Sequence, residues 1–278
     1  MQREITQEMA KDRLPRREAD ANKGSFGSVL AAAGSMAYRG AAALCTEGAL
    51  RAGAGLVYLA SVEPVVQMVL TRTPECCACG CRTAANGGIH PQDAGALRSW
   101  FDGKNTVLLA GPGLGESAAL VCNALLGKKA PWSAAVLDAD ALNALAAGKI
   151  KGPLPDQTVI TPHPGEAAAR RLAGMYHCIA VLKGRGTLIA TPGGEVYHNP
   201  TGSAGLAKGG SGDILAGLLS GLLAAGLKQG RTAEDAAIAA VWLHGAAGDR
   251  CAKRLGMAAM LPHDIFADLG AIFAELER

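Results

Sequence analysis

The sequence predicts a three-layer α/β fold: a mostly parallel central sheet, helices on both of its faces, and a hairpin at one edge. Two observations carry that prediction. Short apolar runs alternate with helical segments along the chain, the pattern of a parallel sheet covered on both sides. Pro192-Gly-Gly194 lies between two short runs, residues 187–190 and 195–198, and reads as a hairpin turn. A third observation says where a ligand would bind. Polar and glycine-rich groups follow the ends of the apolar runs, and in open parallel sheets ligands bind beyond the carboxyl ends of the strands.

Taken in order, residues 5–14 read as a short helix that Pro15 ends. Arg13, Arg16 and Arg17 are followed by Glu18 and Asp20, so this segment reads as solvated. Residues 22–27 form a turn, and residues 28–33 a buried strand closed by Gly34-Ser35. Residues 41–52 are a small-residue helix, residues 56–60 a second strand and residues 64–70 a helix. The cysteine segment and Asn86-Gly-Gly88 read as loop, and residues 94–101 as helix. A strand at 106–110 leads through Gly111-Pro-Gly-Leu-Gly115 into a helix at 116–126. A strand at 134–137 ends at Asp138, before a helix at 139–146. The strand at 158–160 ends in Thr161-Pro-His-Pro-Gly-Glu166, and the strand at 179–182 ends at Lys183. After the hairpin come two long small-residue helices, 213–227 and 233–255, and Pro262 opens a last one. No linker, repeat or low-complexity tract intervenes, so a single domain over residues 1–278 is expected.

Composition narrows the function. Of 278 residues, 49% are hydrophobic and 18% charged, enough for a sizeable core. Net charge is +3, with no basic run or aromatic stripe, which argues against nucleic acid. The longest apolar run, residues 214–227, is too short to span a bilayer, and no signal peptide is visible, so a cytoplasmic protein without membrane contact is expected. Eight cysteines include Cys76, Cys77, Cys79 and Cys81, whose adjacent and alternating spacing does not match a zinc site. A reduced compartment is the simplest reading.

The chemistry centres on the run from Asn199 to Asp213. Gly209, Gly210 and Gly212 let the backbone turn sharply before an apolar helix. The first N–H groups of such a helix have no partners within it and form an anion site. Asp213 stands at that site, placed to take a proton from a hydroxyl that attacks a phosphate, although aspartate also caps helices well. Lys183 ends an apolar strand, where a lysine needs solvent or an anion. Asp138, Asp140, His163 and Glu166 end other strands; His163 also suits a turn, and Asp140 a helix cap. His244 lies on an apolar helical face and reads as a core histidine. Gly111-Pro-Gly-Leu-Gly115 approaches a dinucleotide-binding fingerprint, but its third glycine comes one place early and nothing else suggests hydride transfer.

Several motifs together resemble the ADP-dependent NAD(P)H-hydrate dehydratase family. They are Lys23-Gly-Ser-Phe-Gly27 with Gly34-Ser35, Gly111-Pro-Gly-Leu-Gly115, Leu137-Asp-Ala-Asp-Ala-Leu-Asn143, Thr161-Pro-His-Pro-Gly-Glu166, Leu182-Lys-Gly-Arg-Gly-Thr187, and Asn199-Pro-Thr-Gly202 through Gly209-Gly-Ser-Gly-Asp213. The resemblance covers nearly the whole chain and implies a ribokinase-like fold. It implies repair of the hydrated, redox-dead forms of NADH and NADPH (NADHX and NADPHX), with ADP as co-substrate and Mg2+ as cofactor. Asp213 is then the catalytic base, and Gly209, Gly210, Ser211 and Gly212 the anion hole for the transferred phosphoryl group. Lys183, Gly184, Arg185, Gly186, Thr187 and Gly212 would bind AMP or ADP. Gly40, Ala41, Gly113, His163 and Asp213 would contact the hydrate. Asp138, Asp140, Asn143 and Asn199 are further candidates, and Glu166 is implied as an indirect, water-mediated contact to magnesium. A separate NAD(P)HX epimerase and a homo-oligomer are the implied partners.

One departure stands out. Only residues 162–178 separate Thr161 from Ile179, where the family usually carries an extra helical stretch. A helix over residues 165–173, about 13 Å long, is expected there. Two other readings share the fold: an ATP-dependent kinase of a small alcohol, and a nucleotide-binding relative without turnover.

Overall fold

The computed structural model describes residues 2–101, 105–127, 129–162 and 166–278, with the side chains of 166–169 outside that description. Among the described residues there are ten strands: β1 (Gln2–Glu4), β2 (Ser28–Ala32), β3 (Leu56–Val62), β4 (Cys77–Cys81), β5 (Thr106–Ala110), β6 (Ala134–Leu137), β7 (Thr158–Ile160), β8 (Ile179–Leu182), β9 (Leu188–Ala190) and β10 (Val196–His198). They join in one sheet in the order β1-β10-β9-β8-β7-β6-β5-β2-β3-β4. Seven neighbouring strands, from β8 to β4, run parallel. The strand β9 is antiparallel to both its neighbours, and β1 runs parallel to β10. The hairpin is therefore present, but its outer strand is itself covered by β1.

The helices are α1 (Gln7–Asp12), α2 (Arg39–Arg51), α3 (Glu63–Arg72), α4 (Pro91–Trp100), α5 (Ala118–Leu125), α6 (Ala139–Ala146), α7 (Glu166–Tyr176), α8 (Ser211–Leu227), α9 (Ala233–Leu255) and α10 (Ile265–Leu276). Buried residues of α1, α2, α3, α8, α9 and α10 share one core cluster with one face of the sheet. Those of α4, α5, α6 and α7 share a second with the other face. This is the three-layer arrangement expected. Small residues in α2 and α8 bring their backbones into contact: a Cβ on Gly217 would lie 2.2 Å from the Cys45 carbonyl oxygen, and one on Gly221 would lie 2.3 Å from that of Ala49. That close approach seats α8 on β2, β5 and β6.

Three expectations need correction. The cysteine segment is not loop: Cys77–Cys81 is an edge strand in register with β3. Its alternating cysteines have the period of a strand, and buried thiols pack as small apolar groups. The start of the chain is not simply helix and solvated coil. Gln2–Glu4 pairs with β10, Arg17 stacks 4.0 Å over the Phe26 ring, and its guanidinium donates to the Gly53 carbonyl. The helix after Thr161 spans Glu166–Tyr176 rather than 165–173.

The chain proceeds from β2 to β3 and β4 on one side, and from β5 to β6, β7 and β8 on the other. The topological switch point is between β2 and β5. A crevice for ligands opens at such a point, beyond the carboxyl ends of the strands. Gly34, Gly111 and Asp138 leave β2, β5 and β6 there.

Candidate active site

The helix α8 begins at this rim. Gly210 is its N-cap, in the left-handed region at φ 103°, and makes no side-chain cap. The left-handed conformation favours glycine there, and a Cβ would also press on the Leu44 side chain at 2.5 Å. Asp213 lies in the first turn rather than at the cap. Ser211 N–H donates to the Lys208 carbonyl at 3.3 Å, whereas the N–H groups of Gly209, Gly210, Gly212 and Asp213 have no acceptor among the described residues. The helix thus presents free donors and a carboxylate side by side.

Asp213 is half-buried, and burial pushes its pKa up to about 6. The negative charges of Asp138 and Asp140 push the same way, and Lys183 opposes them. A carboxylate tuned to that range is ionised at neutral pH yet accepts a proton more readily than a free one.

The ends of β6, β7 and β8 supply a buried ion pair. Lys183 Nζ donates to Asp138 Oδ1 at 2.6 Å, and Thr161 Oγ1 donates to the same oxygen at 2.5 Å. Asp138 is the N-cap of α6 but makes no cap bond, so its side chain is free for these partners. A Cβ on Gly212 would stand 3.3 Å from Lys183 Nζ and 3.9 Å from Asp138 Oδ2. The Lys183 ammonium and the Asp138 carboxylate therefore lie beside the first turn of α8, where Asp213 stands.

The other sequence candidates fall as follows. Asp140 does not cap α6; its Oδ2 accepts the Gly115 N–H at 2.8 Å and braces the Gly111–Gly115 loop. Gly113 lies against Tyr38 and Ala41, where a Cβ would come within 2.9 Å of the Ala41 Cβ, and Gly40 is open to solvent. The turn from Lys183 to Thr187 closes on itself through Thr187 Oγ1, which donates to the Gly184 carbonyl at 3.1 Å. Gly186, at φ +71°, leaves no room for a Cβ against His198, and Arg185 is exposed. Asn143 is exposed on α6. Asn199 is buried and ties its loop to α9, its Nδ2 donating to the Thr201 and Val241 carbonyls. Ser211 turns its hydroxyl inward to His244 Nε2 at 3.3 Å, so neither of its donors faces the anion site. His163 lies outside the described residues, as does the side chain of Glu166. Sequence reasoning passed over Thr161 as a partner for Asp138 and His244 as a partner for the loop. The second has a signal in the chain: the glycines at 245 and 248 beside His244 mark a helix face that a backbone approaches.

Residues 29–270 match the family model described as NAD(P)H-hydrate dehydratase. The chain belongs to that family. It is 30% identical to the ADP-dependent (S)-NAD(P)H-hydrate dehydratase of Bacillus subtilis, over 98% of both chains. It is 38% identical to the bifunctional NAD(P)H-hydrate repair enzyme Nnr of Moorella thermoacetica, covering 99% of this chain and 54% of that protein. The chain thus spans about half the length of the bifunctional relatives it matches. Among solved structures, an ADP/ATP-dependent NAD(P)H-hydrate dehydratase from B. subtilis, co-crystallised with ATP/Mg2+, superposes with a TM-score of 0.82 at 29% identity, covering 99% of each chain. A ribokinase-like superfamily protein from Enterococcus faecalis superposes with a TM-score of 0.83 at 26% identity, covering 100% of this chain and 97% of that one. The dehydratase family thus carries the ribokinase-like fold seen here. Among the described residues no helix is long and apolar enough to cross a membrane.

Proposed function

We propose that this chain dehydrates the hydrates of NADH and NADPH at the expense of ADP, returning both dinucleotides to redox use. The observation that carries the proposal is the half-buried Asp213 carboxylate in the first turn of α8, beside unpaired N–H groups and the Lys183 ammonium. Phosphoryl transfer asks for little else: a base for the incoming hydroxyl, donors for the phosphoryl oxygens, and a counter-charge. Asp213 takes the proton of the hydrate's hydroxyl as that oxygen bonds to the terminal phosphorus of ADP. The bond to AMP breaks, and the N–H groups of Gly212 and Asp213 receive the transferred oxygens. Lys183 exchanges Asp138 for a nucleotide phosphate. The ring nitrogen's lone pair then expels phosphate from the carbon beside it, and the next ring carbon gives a proton to the departing phosphate, which restores the dihydronicotinamide. Gly40, Ala41 and Gly113, across the rim, receive the hydrate, with His163 as a further contact.

The solved relative was co-crystallised with ATP/Mg2+, which supports nucleotide and magnesium use here. Among the described residues no group of three or more His, Cys, Asp or Glu forms a metal cage. Magnesium does not need one: it keeps several waters and takes one or two carboxylates beside nucleotide phosphates. The Asp138 carboxylate fits that donor set, with Glu166 acting through water, which leaves Asp213 free to act as the base. When bound, the ion supplies positive charge to the phosphates. A cytoplasmic, homo-oligomeric enzyme working beside an NAD(P)HX epimerase completes the reading; the bifunctional names of relatives about twice as long support that partner.

The test mixes hydrated NADH, ADP and magnesium with the protein. Dihydronicotinamide absorbance should appear together with one AMP and one phosphate per turnover. Nucleotide consumed with a persistent phosphoester and no new absorbance would overturn the proposal and favour the small-alcohol kinase.

A further inference from the structure

A series of contacts ties α9 to the long loop that ends in α8. Asn199 Nδ2 donates to the Val241 carbonyl at 3.2 Å, and Thr201 Oγ1 to that of Trp242 at 3.1 Å. Asp249 accepts the Gly202 N–H at 2.9 Å. Gly245 and Gly248 permit this approach, since a Cβ on either would meet Thr201 or Leu206 at 2.5 Å or less. These contacts fix the early part of the loop. Of this series, His244 alone reaches the start of α8, through Ser211.

Ser211 is the first residue of α8, and a serine hydroxyl at that place has a competing use. It can fold back onto neighbouring backbone N–H groups, as serine does near helix starts. Those are the donors that an incoming anion needs. Here the hydroxyl instead points into the protein: Ser211 and His244 are both buried. Burial pulls the His244 pKa down to about 4, and the Lys183 charge pulls the same way, so the ring is neutral at pH 7 and adds no charge of its own.

We infer that His244 is a positioning residue for phosphoryl transfer, which holds the Ser211 hydroxyl against α9 and so leaves the first-turn N–H groups of α8 open to the phosphoryl oxygens. The inference rests on the phosphoryl-transfer reading of this site. It gives α9 a task that its apolar burial alone does not.

Three variants test it. His244→Phe keeps a buried ring but removes the hydrogen bond, His244→Gln restores a polar atom near the place of Nε2, and Ser211→Ala, added to His244→Phe, removes the hydroxyl that would otherwise wander. His244→Phe should lower kcat roughly tenfold, about the worth of one well-placed hydrogen bond, with KM for the hydrate little changed. His244→Gln should recover most of the loss, and so should the Ser211→Ala/His244→Phe double variant. A structural role for His244 would lower the melting temperature of His244→Phe, yet Ser211→Ala would not restore kcat. The affinity for inorganic phosphate, by calorimetry, gives a readout without turnover: it should fall in His244→Phe and return in the double variant. Wild-type protein that fails to turn over would defeat the dehydratase reading while the phosphate titrations still decide on His244. Wild-type kcat and phosphate affinity in His244→Phe, or losses that Ser211→Ala does not repair, would overturn the inference.

Discussion

Residues 111–115 and 209–213 each turn a glycine-rich loop into a helical segment at the same rim of the sheet, yet their donors are used differently. In the first loop, Gly111 N–H donates to Ala32, Leu114 N–H to Gly111, and Gly115 N–H to the Asp140 carboxylate. Its three glycines all have positive φ, and two serve close packing: a Cβ on Gly111 would stand 1.8 Å from the Asp138 carbonyl oxygen, and one on Gly113 2.7 Å from that of Tyr38. In the second loop only Gly210 has positive φ, and four N–H groups remain without acceptors among the described residues. Glycine spacing therefore says little about anion binding. What counts is how many backbone donors the rest of the fold leaves unspent. Each loop also has one carboxylate beside it. Asp140 is a brace, already bonded, and Asp213 is held near free donors with its proton affinity raised.

The largest effect should come from removing that second carboxylate. Asp213→Asn should still bind ADP but lose turnover by about 10²–10⁴-fold, the usual cost of deleting a general base. Near-wild-type turnover would dismiss Asp213 from the chemistry. The same variant has a stability signature. Because burial raises the Asp213 pKa from 3.8 to about 6, the folded protein binds this proton more tightly than the unfolded chain. Stability from this group is therefore greatest at low pH, falls as pH rises through that interval, and stays reduced above it. Asp213→Asn should thus be more stable than wild type near about pH 8, by on the order of 1–3 kcal/mol, and no more stable near about pH 3. Wild-type kcat/KM should rise with pH through about 6, as the base loses its proton.

Next in size is Lys183→Ala. It removes the counter-charge for phosphate and leaves Asp138, a buried carboxylate, without its ion-pair partner. ADP affinity should fall more than affinity for the hydrate. Stability should drop by about 3 kcal/mol, the low end for a broken buried pair because Lys183 keeps some exposure. Combining Lys183→Met with Asp138→Asn should recover the stability but not the ADP affinity. Calorimetric titration and thermal melting separate the two, and unchanged ADP affinity in Lys183→Ala would make the lysine purely structural.

Asp140→Ala should act with the opposite sign to Asp213→Asn. It deprives the half-buried Gly115 N–H of its acceptor, at a cost of about 1–2 kcal/mol in stability at neutral pH. Thermal melting of the two variants side by side at about pH 8 sharpens the contrast: one carboxylate supports its loop, and the other strains its surroundings. Equal shifts of the same sign would show that the two loops do not differ in the way described.

Much of this rim was legible in the chain because strand ends are legible. The strands 106–110, 134–137, 158–160 and 179–182 are continuous apolar runs, and their last residues point to one edge of the sheet. The pairings were not legible. Lys183 and Asp138 are 45 residues apart, and Ser211 and His244 are 33 apart. Which partners meet depends on crossover geometry and on glycines that let α9 approach the loop. The strand β1 escaped notice because Gln2–Glu4 is exposed and polar, and only pairing with β10 holds it extended. The strand β4 is hard to see because its residues are cysteine, alanine and glycine, so its period-two alternation lacks the β-branched and aromatic residues that mark a strand.

That edge strand provides the smallest expected effect and the sharpest contrast with Asp213. Burial acts on both places, in opposite functional directions. At the rim it lifts a carboxylate to about 6, within reach of neutral pH. Along β4 and its flank it lifts the Cys76 and Cys81 thiols to about 12, far from it. A thiol so raised stays protonated, and neither attacks nor ligates a metal readily. Cys77 is the most exposed of the four, the others being buried. A brief thiol-labelling pulse at about pH 8, read by mass spectrometry, should therefore mark Cys77 first and the rest only on unfolding. Turnover should survive the label, because β4 is at the far edge of the sheet from β6 and β8. Rapid labelling of Cys76 or Cys81, or stoichiometric zinc lost together with activity when the four are replaced by alanine, would show that this edge carries chemistry of its own.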